Sequence, residues 1–489
     1  MKIVHVSSEQ HPFIKTGGLA DVVESLSRHT AKQGHEVISF LPLYRAVRES
    51  EWFAQAQRRH SIFLQLGDEA FEGEVYRLKL GRRLALYLIG RDEFFDRSYP
   101  YGTKIRDYSD NDARFIFFCK AVVDTLLREN FHADILHCHD WQSALVPIFA
   151  RVEEAYKGLQ VGMRSLLTIH NLAFQGVFPD RAFDLTNLPS AFFSIDGLEY
   201  YGQVNFLKSG ILFADGVTTV SPNYAKEILL PEFGCGLEGV LQKRKSELHA
   251  ILNGIDTDAW NPKTDIHIPV NYTVRNLDRK RENKEALLKR VNLPKQPGAP
   301  LYGLVSRLTD QKGIDFILKQ RSFWAKNNVQ LVALGKGDAK LEKGLKRLGQ
   351  KFPQKVHACF DYDEALSHLI QAGADFFLIP SRFEPCGLNQ MYSQRYGTLP
   401  MVSRVGGLAD TVVDALENPE SGTGIVFSPN EKGLGKGLAQ SLKLYADAKR
   451  YRKIQRNAMA RDFSWGISAR DYENLYTELM FGDSQTFSP

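Results

Sequence analysis

The sequence predicts an α/β protein built from two doubly wound, parallel-sheet domains, and three observations lead there. Short apolar runs without alternation recur along the chain, each followed by a longer amphipathic stretch. Strands buried on both faces read this way, because helices cover both sides of a parallel sheet. The chain has 489 residues, and at about 100 to 200 residues per domain that is room for two or three domains. Finally, Gly17-Gly18-Leu19-Ala20-Asp21 recurs as Gly406-Gly407-Leu408-Ala409-Asp410, each copy after an apolar run and at the start of a helical pattern.

Taken in order, strand-like runs fall at 2–8, 35–43, 83–90, 134–140, 165–170 and 216–222, then at 247–254, 300–307, 329–335, 355–360, 375–381 and 399–406. Apolar residues three and four apart predict helices at 19–33, closed by Gly34, and at 313–328, closed by Asn327-Asn328. Right-handed crossovers follow. Residues 255–300 are charged and Pro-rich and precede a strong new strand, which puts the domain switch near Gly254. The expected division is 1–254, 255–465, and a last helical segment, 466–489, returning to the first domain.

Charge is balanced, 62 Lys+Arg against 57 Asp+Glu for a net +5, with 24% charged and 43% hydrophobic residues. That composition excludes a disordered chain and gives no ground for a nucleic-acid partner. Glu9 and two histidines interrupt the stretch a signal peptide would need, and Lys120 and Asp124 interrupt the longest apolar segment, so neither a leader nor a membrane partner is expected. The five cysteines, Cys119, Cys138, Cys235, Cys359 and Cys386, are odd in number and hold no C-x-x-C. A cytoplasmic protein without a disulfide framework is the expectation.

Several loops carry chemistry. Paired glycines before a helix let backbone N–H groups meet an anion at the positive end of the helix dipole, and two copies argue for a ligand held between the halves. A helix-entry turn is the plainer reading of either copy. Arg307 and Lys312 lie on a strand-to-helix loop at the carboxyl end of a strand, where such sheets bind ligands. A guanidinium fork plus an ammonium could neutralise a leaving diphosphate; a solvated surface pair is the alternative. Lys15 is a third cation of the same placement.

Glu384 follows another buried strand, held extended by Pro385 and close to Gly387, so that it can bond sugar hydroxyls. A nucleophile of a retaining hydrolase would need a second carboxylate about 5 Å away, and none is evident. In His137-Cys138-His139-Asp140 strand alternation sends the histidines one way and Cys138 and Asp140 the other, which argues against a shared metal. His139 and Asp140 are expected to end a strand facing the ligand, as are His170 and Asn171. The strings Asp256-Thr257-Asp258 and Asp361-Tyr362-Asp363 read as helix-entry caps. Tyr101, beside Gly102, is a candidate on the acceptor side. No metal ligands are assigned.

Together these motifs resemble bacterial glycogen synthases and plant starch synthases over essentially the whole chain. Lys15-Thr16-Gly17-Gly18-Leu19-Ala20-Asp21-Val22, His139-Asp140-Trp141, His170-Asn171-Leu172-Ala173, Asn253-Gly254-Ile255-Asp256, Arg307 with Lys312, and Glu384-Pro385-Cys386-Gly387-Leu388 follow in that family's order. The resemblance implies a GT-B glycosyltransferase fold, two Rossmann-like domains facing across a cleft, with the acceptor and catalytic domain first and the nucleotide-sugar domain second. It implies transfer of glucose from ADP-glucose to the non-reducing end of an α-1,4-glucan such as glycogen, with retention and with neither metal nor cofactor.

By the same resemblance His170, Asp140, Arg307, Lys312 and Glu384 are catalytic. Lys15, Gly17, Gly18, Asp21, Asn171, Asn253, Cys386, Gly387 and Leu388 bind substrate. Lys15 and Arg307 lie in different halves, so a shared donor implies domain closure. Tyr392 stands eight residues after Glu384, where many other retaining enzymes of this fold have a second Glu, and favours a glucan synthase. Lys336, where a small hydroxyl residue is usual, leaves UDP-glucose open as donor. Further alternatives are a silent glucan-binding homologue and a dinucleotide oxidoreductase, the latter without G-x-G-x-x-G after its first strand.

Overall fold

Runs rich in Val, Ile and Leu become the central strands of two sheets, in a computed structural model that describes residues 1–103, 106–152, 162–361 and 363–482. One unit comprises Met1–Val220, Ala225–Ile251 and the chain from Trp465 onward; the other comprises Ser221–Tyr224 and Leu252–Ser464. The division thus falls between Ile251 and Leu252, three residues before the expected Gly254. Ser221–Tyr224 joins the second unit because Ser221 Oγ donates to Pro385 O (2.6 Å) and Asn223 N to Asp410 Oδ2 (2.8 Å).

Strands of the first unit are β1 (Lys2–Val6), β2 (Glu36–Pro42), β3 (Gln57–Leu66), β4 (Glu69–Lys79), β5 (Leu84–Gly90), β6 (Ile135–His139), β7 (Arg164–Ile169), β8 (Val177–Pro179), β9 (Glu199–Tyr200), β10 (Gln203–Asn205), β11 (Gly216–Thr219) and β12 (Leu248–Ala250). Among the described residues nine of them form one sheet in the order β12-β11-β7-β6-β1-β2-β5-β4-β3, and β8, β10 and β9 form a small antiparallel one. Pairing is parallel from β12 to β5. The hairpin β3–β4 adds antiparallel to that edge. No run was predicted there: β3 opens on charged residues and then alternates, Ile62, Leu64 and Leu66 buried and Phe63 exposed.

The helix Gly18–Lys32 buries Leu19, Val22, Val23 and Leu26 and stops at Gly34, whose φ of +101° suits only glycine. Val22 and Leu26 share a core with Trp465, Tyr472 and Tyr476 of the last helix, Trp465–Phe481. Each such buried side chain contributes about 1.5–3 kcal/mol.

The second unit holds β13 (Leu301–Val305), β14 (Gln330–Leu334), β15 (Val356–Cys359), β16 (Phe376–Ile379), β17 (Leu399–Ser403) and β18 (Ile425–Phe427), all parallel, in the order β15-β14-β13-β16-β17-β18. The single helix expected at 313–328 is two, Ile314–Lys319 and Arg321–Lys326. Gln320 leaves helical geometry at ψ 31° and its amide donates to Glu431 O (2.9 Å); beyond the turn, Trp324 is fully buried edge-on to Tyr302.

Strand order reverses at β1 in the first sheet and at β13 in the second, and open α/β sheets bind ligands at the carboxyl ends beside such a reversal. Most candidate residues follow β1, β6 and β7 in one unit and β13 and β16 in the other, while Asn253 follows β12 and Tyr101 lies in the segment between β5 and β6. No helix among the described residues is long and apolar enough to cross a membrane.

Candidate active site

In the second unit two loops leave adjacent strands, β13 and β16, and are laced together. Arg382 N donates to Gln311 O (2.8 Å), Gln311 Nε2 donates to Phe383 O (3.2 Å), and the Arg382 guanidinium bonds both oxygens of Asp315 at 2.9 Å. A bidentate pair of this kind fixes geometry as well as charge. Gly313, at φ +63°, lies so near the end of β16 that a Cβ would come within 2.0 Å of Pro380 O. Sequence reading missed Arg382; a guanidinium on one loop and a carboxylate on the other was the available signal.

The lacing brings Lys312 and Glu384 together. Lys312 Nζ is 2.5 Å from Glu384 Oε2, and Ser381 Oγ donates to the same oxygen at 2.9 Å. Glu384 is buried, whereas Arg307 is exposed and makes no ion pair among the described residues. The two cations of the expected clamp therefore differ: one guanidinium is open and one ammonium is engaged by the carboxylate. Lys336 is exposed nearby, on the turn whose carbonyl accepts from Leu308 N (2.9 Å).

Asn253 is buried against this loop and bonds the thiol of Cys386, which burial pushes up to about 12. Asn253 Oδ1 is buried with no partner among the described residues, the kind of orphan acceptor that native proteins rarely leave without a ligand or water. Gly387 takes φ +72°, and Leu388, half-buried, leads into the helix Asn389–Arg395, tied back by Asn389 Nδ2 to Val305 O at 3.1 Å.

The repeated glycine motif is corrected by its surroundings. Gly406, at φ +40°, would place a Cβ 1.9 Å from Glu384 O, and Gly407 one 2.3 Å from Cys386 O; Gly407 N donates to Glu384 O at 3.1 Å. This copy packs under the Glu384 loop, and its helix, Gly406–Thr411, is only six residues long. The first copy is different, since a Cβ on Gly17 meets nothing within 4 Å among the described residues, and Gly18 is exposed. The two copies therefore differ in their surroundings, one packed under a loop and one open.

Glu9, which sequence reading passed over as a site residue, shapes that first loop. It accepts from Thr16 N and Thr16 Oγ1 at 2.5 Å each, from Gly17 N at 3.2 Å and from the Tyr101 hydroxyl at 2.8 Å. Tyr101, whose hydroxyl also meets Ser8 Oγ at 2.7 Å, braces the loop through that hydroxyl. Lys15 pairs with Asp21 at 2.7 Å on the surface.

At the end of β6 Asp140 takes φ +57°, ψ −175°, a region nearly reserved for glycine that costs about 1–3 kcal/mol and concentrates at functional sites. Its Oδ1 accepts from His170 N at 2.7 Å, and Asn171 N also bonds the carboxylate. Burial still pushes the carboxyl up to about 7. Burial likewise pushes His170 down to about 3, so its imidazole is neutral. Its Nε2 meets His139 Nδ1 (3.1 Å), and His139 Nε2 meets His5 Nδ1 (3.2 Å). His139 was expected to face the ligand; it is fully buried among imidazoles and supports His170 from behind. Asn171 Oδ1 accepts from Ala173 N.

Only one aspartate string caps a helix: Asp363 caps Glu364–Gly373 through Leu366 N, whereas Asp256 Oδ1 accepts from Asp258 N and Ala259 N in a turn that no helix follows among the described residues.

Comparison with known proteins places these features. A family model described as "Glycosyl transferases group 1" matches residues 287–461, and one described as "Starch synthase catalytic domain" matches residues 2–243. Fold and site thus define a glycosyltransferase of two Rossmann-like domains. A glycogen synthase of Opitutus terrae is 51% identical over 98% of this chain and 100% of its own length. Glycogen synthase 2 of Geobacter sulfurreducens is 43% identical over 97% and 98%. The structure of the catalytic domain of starch synthase IV from Arabidopsis thaliana, bound to ADP and acarbose, superposes with a TM-score of 0.89 at 33% identity, covering 98% of this chain and 99% of that one. The chain belongs to the glycogen synthase and starch synthase family.

Proposed function

We propose that this chain transfers glucose from ADP-glucose to the non-reducing end of an α-1,4-glucan such as glycogen, with retention and without a metal. The observation that carries the reading is the Lys312–Glu384–Ser381 contact beside the exposed Arg307, at the reversal of strand order in the second unit. Arg307 and Lys312 would hold the diphosphate and stabilise it as it leaves, an electrostatic role for preorganised cations. Glu384, pinned on one oxygen, presents the other to sugar hydroxyls; with a cation on it and no second carboxylate on its loop, it is placed to orient the sugar and not to attack it.

In the first unit Lys15 and Gly18 would contact the donor. His170, neutral and buttressed by His139, would bond a hydroxyl of the reacting sugar, and Asp140 would fix the His170 backbone. Asn253 would orient the donor through its partnerless Oδ1. The names of the relatives and the ADP in the starch synthase structure support the donor and the acceptor. All five cysteines are thiols, which suits a cytoplasmic setting.

The test is release of ADP and of UDP from the two nucleotide glucoses, each with and without glycogen, in buffer containing EDTA. Glycogen-dependent ADP release is expected. UDP release alone would overturn the donor, and no release from either would leave a glucan-binding homologue.

A further inference from the structure

The described residues contain two clusters with three groups able to ligate a metal, and their surroundings separate them. His5, His137 and His139 are wholly buried, and five of their six nitrogens are engaged: His137 meets Tyr476 OH (2.8 Å) and Thr168 Oγ1 (2.6 Å), His5 Nδ1 meets His139 Nε2, and His139 Nδ1 meets His170, which leaves His5 Nε2 alone without a partner among the described residues. One unengaged nitrogen is too few to hold an ion without breaking the bonds between these rings and their neighbours.

The other cluster, in the second unit, is His267, Glu364 and His368, with one ligand atom of each within 4.8 Å of the others. Glu364 and His368 sit four apart on the first turns of the helix Glu364–Gly373 and so share a face. His267 comes from the segment that precedes β13 and lies beside His368, ring centroids 4.7 Å apart. Asp265 organises both imidazole-bearing residues. Its Oδ2 accepts from His368 Nδ1 at 2.8 Å and from the Tyr396 hydroxyl at 2.5 Å, and its Oδ1 accepts from His267 N at 2.8 Å.

A carboxylate on Nδ1 selects the tautomer whose Nε2 carries the lone pair, which is how metal-ligating histidines are oriented. The ring is held a second way, since Trp260 stacks flat on it at 3.8 Å and 10°, with Tyr392 on the far face of Trp260 at 4.0 Å and 11°. Neither the His267 nor the Glu364 side chain makes a hydrogen bond or ion pair among the described residues, and they are half-buried and exposed respectively. A closing movement of these two outer side chains would bring the ligand atoms to the spacing of about 3.3 Å that a tetrahedral ion with bonds near 2.0–2.1 Å requires.

We propose that His267, Glu364 and His368 form a binding site for one divalent transition-metal ion of the zinc class, with Asp265 as the outer carboxylate. Two imidazoles and one carboxylate select zinc, cobalt or nickel over magnesium or calcium, and solvent completes the coordination. The ion would cross-link the segment around His267 to the helix that leads into β16, and hence to the strand that precedes Glu384. It is a stabilising site made from none of the candidate catalytic residues, and it is independent of the reaction proposed above.

The experiment uses the full chain, treated with EDTA and dialysed, then titrated with zinc chloride by equilibrium dialysis and with cobalt chloride by visible absorption, with melting temperature read in parallel. One equivalent of saturable zinc, a cobalt spectrum of tetrahedral intensity and a raised melting temperature are expected. His267→Ala combined with Glu364→Gln, both outside the core, should leave the circular dichroism unchanged and abolish all three effects. Absence of saturable binding, or binding and stabilisation that persist undiminished in the double variant, would overturn the site.

Discussion

Lys312 Nζ lies 2.5 Å from Glu384 Oε2 across two loops 72 residues apart in sequence, and Glu384 is only 6% exposed. In the proposed reaction an arriving diphosphate would therefore compete with a carboxylate for one of its two cations. Removing one partner of a buried pair leaves a charge that burial penalises, at a cost that reaches about 3–5 kcal/mol when burial is complete. Lys312→Ala is accordingly expected to lower turnover by about 10²- to 10³-fold and also the melting temperature. The double variant Lys312→Met, Glu384→Gln should regain most of the stability and none of the turnover. Calorimetry and initial rates on the three variants check this, and an unchanged melting temperature in Lys312→Ala would show that the pair is not coupled in solution.

Arg307 should behave differently, because it is exposed and makes no ion pair among the described residues. Arg307→Ala is expected to keep the wild-type melting temperature while losing about 10²- to 10³-fold in transfer rate. Arg307→Lys should restore only part of it, since an ammonium cannot reproduce a bidentate fork on a phosphate. Equal transfer rates in wild type and Arg307→Ala would return this residue to the status of a solvated surface charge.

The doubly wound fold was legible because parallel strands buried on both faces write continuous apolar runs, and every one of the runs from 2–8 to 399–406 holds a strand. The hairpin β3–β4 was not, because half-exposed edge strands carry charges on one side. The loop residues Lys312 and Glu384 could be picked out by type and by their place after strands, but their contact could not, as it depends on the lacing by Arg382 and Gln311. The bracing of the first loop by Glu9 and the Tyr101 hydroxyl could not be read for the same reason: a side chain turned inward to brace a loop has no sequence mark distinguishing it from one turned outward. His139 shows the limit of strand alternation, which tells which face a residue takes but not whether that face is open.

The two glycine motifs, identical in sequence, are expected to respond oppositely to the same change. At Gly406 an alanine would meet Glu384 O at 1.9 Å and hold a strained φ of +40°. Strain and overpacking each cost about 1–3 kcal/mol. At Gly17 the backbone is extended, φ −154°, and a Cβ has space. Gly406→Ala should therefore lower the urea midpoint, and Gly17→Ala should leave it in place. Equal midpoints for the two variants would remove the packing argument for the second copy.

Asp140 makes stability depend on pH in a direction opposite to that of an ordinary salt-bridged carboxylate. Burial raises its carboxyl in the folded state from 3.8 to about 7, so between those values the folded chain binds a proton that the unfolded chain has released. The resulting stabilisation is complete below the unfolded value, shrinks as pH rises, and is gone above about 7. At 1.36 kcal/mol per pH unit the swing is at most about 4 kcal/mol, reduced by whatever water reaches this partly accessible side chain. Asp140→Asn keeps an oxygen for the His170 and Asn171 amides but cannot ionise. Wild type should therefore lose stability relative to Asp140→Asn between about pH 4 and about pH 7, measured as the difference in urea midpoints. A difference that stays constant across that interval would mean that Asp140 ionises as a solvated aspartate does, and the two backbone amides would then be the dominant influence on it.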